Sequence, residues 1–205
     1  MKLDDALSQI AEIRQQMART QVFRGYRAAT TAFSAVMALV AAGVQRYLIG
    51  EATLVENYFA ALWVWLAAAG ASLAVVGTEM FVRFRRNHSP MQREMTLSAV
   101  EQFVPCLVAG AMLTYAIAEW AGGSLNMLPG LWCTLFGLGV MASRRVLPRG
   151  TFIVGAWYLL AGMLCIATRK DISFSVQMAV AFGGGQFLAA AVLYWTLERR
   201  AAGSI

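Results

Sequence analysis

Six stretches of this chain contain no Asp, Glu, Lys or Arg: residues 28–45, 57–78, 102–118, 121–143, 151–168 and 172–197. Most approach or exceed the ~20 apolar residues that a helix needs to cross a hydrocarbon layer about 30 Å thick. The shorter ones are extended by flanking residues such as Tyr47, Leu48 and Ile49, beside which Arg46 can snorkel outward. Composition agrees, with 59% hydrophobic residues and 14% charged ones, against about half and about a quarter in soluble domains. The expected fold is all-α: a polytopic bundle of six transmembrane helices.

Six buried helices would also fit a soluble protein of this size, and the basic residues separate the two cases. Arg and Lys cluster before the first window (Lys2, Arg14, Arg19, Arg24, Arg27), between the second and third (Arg83, Arg85, Arg86, Arg93), between the fourth and fifth (Arg144, Arg145, Arg149) and after the sixth (Arg199, Arg200). Only Arg46, Arg169 and Lys170 fall on the other side. By the positive-inside rule both termini are cytoplasmic. The aromatic residues follow the same plan. Tyr47, Tyr58, Trp120 and Trp132 lie towards the outer interface, Tyr26, Tyr194 and Trp195 towards the inner one. A net charge of +6 is explained by this topology, so nucleic-acid binding is not expected. The excess of Arg over Lys and the abundance of Ala and Gly suggest a GC-rich bacterial genome and an inner-membrane location.

Three regions are expected. Residues 1–27 form a cytoplasmic amphipathic helix and linker, 28–200 the transmembrane domain, and 201–205 a short cytoplasmic tail. In the first, Leu3, Ile10 and Met17 repeat every seven residues, Leu7 and Ile13 share their face, and Asp4 or Asp5 can cap the start. The polar face mixes Asp4, Asp5 and Glu12 with Arg14 and Arg19, unlike the Lys/Arg-rich face of an in-plane membrane helix. It packs on its own loops or on a cytoplasmic partner.

Glycine placement is the next constraint. Gly70 and Gly77, Gly130 and Gly137, and Gly155 and Gly162 are each seven residues apart. Seven residues is nearly two turns, so each pair lies on one helix face. Small residues there let backbones approach closely, which is how membrane helices associate without a hydrophobic force. The sixth window holds a triple glycine, Gly183, Gly184 and Gly185, followed by Gln186. Each glycine costs about 1 kcal/mol relative to Ala inside a helix. Two uses offset that cost: a thin surface for helix packing, or a broken helix whose freed carbonyls and Gln186 line a substrate path.

Glu101 and Glu79 lie about one turn inside the expected third and second spans, at the edges of the charge-free windows, and a short connection joins those spans. Intramembrane carboxylates are candidate functional groups, and two that face each other share a proton or hold a cation. The competing reading is structural: Glu79 pairs with Arg83 one turn on, and Glu101 with Arg27, Arg144 or Arg145. No charge lies near the midplane, which disfavours ion-coupled transport.

His88 stands alone in a basic loop, Cys106, Cys133 and Cys165 fit no metal or disulfide pattern, and no nucleotide-binding or hydrolase motif occurs. No enzyme activity, metal or cofactor is expected. The segments "IAEIRQQMARTQVFRGYR", "MLPGLWCTLFGLGVMASRRVLPR" and "AVLYWTLER" resemble a family of uncharacterised bacterial six-span inner-membrane proteins. The resemblance implies a regulatory setting beside winged-helix regulators and assigns no activity or residue role. Two functions follow from the sequence. One is a regulatory or scaffold protein that meets a cytoplasmic partner or anionic lipid through its N-terminal helix and arginine loops; the other is a small oligomeric channel or transporter for a neutral solute.

Overall fold

The structure, a computed structural model, describes residues 28–50, 55–86, 90–143 and 150–198. The expected amphipathic helix with Leu3, Leu7, Ile10, Ile13 and Met17, the tail 201–205, His88 and the arginines at 144, 145, 199 and 200 lie outside the described residues.

Among those described there is no strand. Helix α1 (Ala28–Val44) passes into a π-helical turn at Gln45–Ile49. That turn ends on Gly50, whose φ of +83° suits glycine and whose N–H reaches Gln45 O at 2.9 Å. Helices α2 (Val55–Arg86) and α3 (Pro90–Trp120) are long, at 32 and 31 residues. Helix α3 continues through Pro105, where the ring leaves the carbonyl one turn earlier without its usual donor. A 3₁₀ turn at Gly122–Met127 leads into α4 (Leu128–Ala142), with Pro129 in the first turn, where a missing N–H costs nothing. Helix α5 (Thr151–Ala167) follows. The last span, α6 (Phe174–Thr196), contains a π-helical stretch at Ala179–Gly183 and enters a second at Tyr194–Glu198.

Five of these helices are long and apolar enough to cross a membrane; α5 is equally apolar and, at 17 residues, shorter. The outward faces carry exposed apolar residues, among them Leu73, Phe81, Met112, Leu160 and Met163. Such a surface suits lipid and not water.

The helices form an open ring in the order α2, α1, α6, α5, α4, α3, and the ring is weakest between α2 and α3, which touch little. The closest pair is α4 with α5. Both glycine pairs on these helices sit in that seam. A β-carbon at Gly162 would stand 2.9 Å from Gly130 O, and one at Gly137 would stand 3.2 Å from Gly155 O. The backbones therefore touch, as the seven-residue spacing predicts. Gly70 and Gly77 on α2 behave differently: nothing lies within 4 Å of either.

Two apolar clusters fill the ring. Near the end that carries Arg46, Ala41, Ala61, Leu62, Trp65, Leu128 and Met178 pack together. Deeper on the α4, α5 and α6 side, Cys133, Val154, Tyr158, Cys165 and Ala181 form the second cluster, with Phe136 and Phe182 against it.

Candidate functional site

The triple glycine lies where α6 passes between α1 and α5. Successive residues of a helix point about 100° apart, so three glycines in a row strip side chains from more than half of its circumference. Each faces a different neighbour. A β-carbon at Gly183 would meet Leu39 Cδ2 at 3.1 Å, one at Gly184 would meet Trp157 Cζ2 at 3.1 Å, and one at Gly185 would meet Tyr158 Oη at 2.7 Å. The helix is re-wound here and not interrupted: the π-helical stretch Ala179–Gly183 runs directly into α-helix at Gly184. Widening the turn misaligns backbone carbonyls, and the indole N–H of Trp157 donates to Ala181 O at 3.1 Å.

Gln186 is half-buried and is the polar neighbour of the Tyr158 phenol. Tyr158 is fully buried, yet its hydroxyl makes no well-formed hydrogen bond. Its ring packs against Phe136 at 4.7 Å and Phe182 at 5.5 Å between centroids. Gln177, also within the apolar run, is satisfied by donating to Thr168 O and Ile172 O, both at 3.2 Å, and so ties the α5–α6 connection to α6.

The two carboxylates are not brought together by any hydrogen bond among the described residues. Glu79 accepts a hydrogen bond from the Thr30 hydroxyl of α1. It also borders a shallow groove of about 460 Å³ lined by Ala74, Val75, Thr78 and Glu79. Glu101 is exposed on α3. Its neighbour Gln102 donates to Ser98 Oγ at 3.0 Å and leaves its own carbonyl oxygen buried without a partner.

Three polar features were not singled out from the sequence. Gln45, 1% exposed, accepts a 2.6 Å hydrogen bond from Trp65 Nε1, which joins α1 to α2. Its amide nitrogen has no partner. Trp132 Nε1 donates to Thr114 Oγ1 at 2.8 Å and joins α4 to α3. Cys133 and Cys165, on the neighbouring helices α4 and α5, belong to one buried, packed cluster. The first two carried a signal, a side-chain amide or hydroxyl within an apolar window together with a Trp needing an acceptor. The thiol pair carried none, because its members belong to different helices and lie far apart along the chain.

Among the described residues no three of His, Cys, Asp and Glu come together in a way that would hold a metal ion. No family model, no curated protein and no solved structure matches the chain.

Proposed function

We propose that the protein is a six-span inner-membrane anchor with a regulatory or scaffold role, both termini cytoplasmic, meeting a cytoplasmic partner or anionic lipid headgroups through residues 1–23 and its arginine-rich loops. The observation that carries this reading is the occupancy of the glycine stretch. The surfaces that a substrate path would need at Gly183, Gly184 and Gly185 are filled by Leu39, Trp157 and Tyr158. A path for solute needs polar groups that line an opening. Here the two clusters that fill the bundle are apolar, and α4 and α5 are in backbone contact. The paired termini, the basic loops and the mixed-charge amphipathic pattern then put the polar, partner-accessible chemistry on one side of the membrane.

The test is co-purification in mild detergent of the full chain and of a form lacking residues 1–23, with mass-spectrometric identification of bound proteins and measurement of particle mass. A specific partner retained by the first and lost by the second is the expected outcome. An identical homo-oligomer in both, with no partner, would overturn the reading.

A second reading has its own support. Gly70 and Gly77 on α2, and Gly43 on α1, face open space, so a second copy can approach α2 closely and an oligomer can form a pore between subunits. Proteoliposome flux that responds to Glu101→Gln or Gly185→Ala would favour this channel or transporter reading over the scaffold.

A further inference from the structure

Cys133 and Cys165 fit no sequence pattern, and the fold places them together. Cys133 follows Gly130 by three residues on α4, and Cys165 follows Gly162 by three on α5. Residues three apart share a helix face, so both thiols lie on the faces that these glycines press into backbone contact. A β-carbon at Gly130 would stand 2.8 Å from Gly162 O. The two thiols belong to one buried, packed cluster. They differ in access: Cys133 is 0% exposed and Cys165 is 6% exposed. Cys165 also lies two residues from the end of α5, beside the connection that carries Arg169 and Lys170.

We propose that Cys133 and Cys165 are a dithiol that oxidises to a disulfide and covalently joins α4 to α5. The oxidant is a small disulfide or the active disulfide of a thiol oxidoreductase. Cys165, as its thiolate, attacks one sulfur of that disulfide; the first leaving thiolate takes up the proton that Cys165 released. The resulting mixed disulfide is attacked by Cys133, which expels the second half of the oxidant as a thiol. Two thiols are oxidised, one external disulfide is reduced to two thiols, and atoms and electrons balance. The product is uncharged, which suits a site lined by Val154, Phe136 and Ala181 better than a charged metal–dithiolate would. A disulfide needs the two α-carbons within about 7 Å, and the α4–α5 seam brings the helices that carry them into backbone contact at Gly130 and Gly162. Under the proposed topology, on which the supply of oxidant rests, this end of α5 faces the outer, oxidising compartment.

The experiment uses full-length protein carrying Cys106→Ser, reduced, freed of reductant and treated in detergent with 4,4′-dithiodipyridine, followed by intact-mass measurement and peptide mapping. The expected result is loss of two hydrogens, release of two thiopyridones per chain, no retained pyridyl group, and a linked pair of α4 and α5 peptides. Adding Cys133→Ala should trap a stable pyridyl adduct on Cys165, and adding Cys165→Ala should leave Cys133 unmodified until the protein is denatured. Elution profile and helical circular dichroism establish that each variant is folded. Two retained pyridyl groups, or two unreacted thiols in the folded Cys106→Ser protein, would overturn the proposal.

Discussion

Replacing Gly185 with Ala tests whether the triple glycine serves packing. The new β-carbon would lie 2.5 Å from Tyr158 Cζ, 2.7 Å from its Oη and 2.9 Å from its Cε1, against a comfortable carbon–carbon separation of ~3.5–4.0 Å. The ring must therefore retreat by about 1 Å. It has nowhere to go: Tyr158 is fully buried, with Phe136 and Phe182 against it. Overpacking of this kind costs ~1–3 kcal/mol, and the better helix propensity of Ala returns about 1 kcal/mol. A net loss of up to ~2 kcal/mol is expected. Tyr158→Phe would not relieve the clash, because the ring carbon at 2.5 Å remains. Tyr158→Leu would, since its side chain ends short of that carbon. In the Tyr158→Leu background Gly185→Ala should become neutral or stabilising by up to ~1 kcal/mol, which gives a coupling of about 1–3 kcal/mol between the two sites. The assay is reversible unfolding of the wild type, the two single variants and the double variant in mixed micelles titrated with SDS. Equal effects of Gly185→Ala in both backgrounds would refute the packing argument.

Further outcomes follow from the same geometry. Gly162→Ala places a carbon 2.9 Å from Gly130 O and 2.5 Å from Thr134 Oγ1, so the α4–α5 seam must open; a loss of ~1–3 kcal/mol is expected in SDS unfolding. Gly70→Ala and Gly77→Ala meet nothing within 4 Å and should gain up to ~1 kcal/mol from propensity, unless a second copy docks on α2, in which case particle mass falls instead. Glu79→Gln weakens the hydrogen bond from Thr30 and should cost about 1 kcal/mol at this part-exposed site, whereas Glu101→Gln, on an exposed face, should leave the unfolding midpoint unchanged. Leu128→Ala, at a residue 1% exposed, should cost ~2 kcal/mol or more through the cavity it leaves; Met112→Ala, with its side chain outward, should be close to neutral in the same assay because lipid or detergent fills the gap.

The helical, apolar character of the bundle was legible because a backbone in hydrocarbon leaves so few alternatives. The α4–α5 seam was legible too: Gly130, Gly137, Gly155 and Gly162 announce a thin face on each partner. Gly70 and Gly77 have the same spacing and face away from the bundle. Sequence does not distinguish these cases because lipid tails and a protein interior are equally apolar, so the contrast that marks the inside of a soluble protein is missing. The triple glycine was ambiguous for another reason. Whether its bare surface lines an opening or receives a side chain depends on Trp157 and Tyr158 of α5 and on Leu39 of α1, which periodicity along α6 does not reveal. Glu79 and Glu101 were adjacent in topology, and the hydrogen bond that Glu79 accepts from Thr30 of α1 joins helices whose contact the short α2–α3 connection does not reveal.

The distribution of close contacts has a mechanical consequence. Helices α4 and α5 share a backbone-to-backbone seam, and α6 is pressed onto α5 through Gly184 and Gly185 and onto α1 through Gly183. Those four helices form a tightly joined unit. Helix α2 packs on it through Ala61, Leu62 and Trp65 and through the bonds Gln45–Trp65 and Thr30–Glu79, and α3 through Phe103, whose ring centroid lies 5.1 Å from that of Phe136, through Thr114–Trp132 and through the Ser143 hydroxyl, which donates to Ala99 O at 3.4 Å. Polar contacts of this kind inside a membrane contribute only about 0.6 kcal/mol each on average. Helices α2 and α3 touch each other little, so the bundle is open along the α2–α3 edge, where neither helix braces the other.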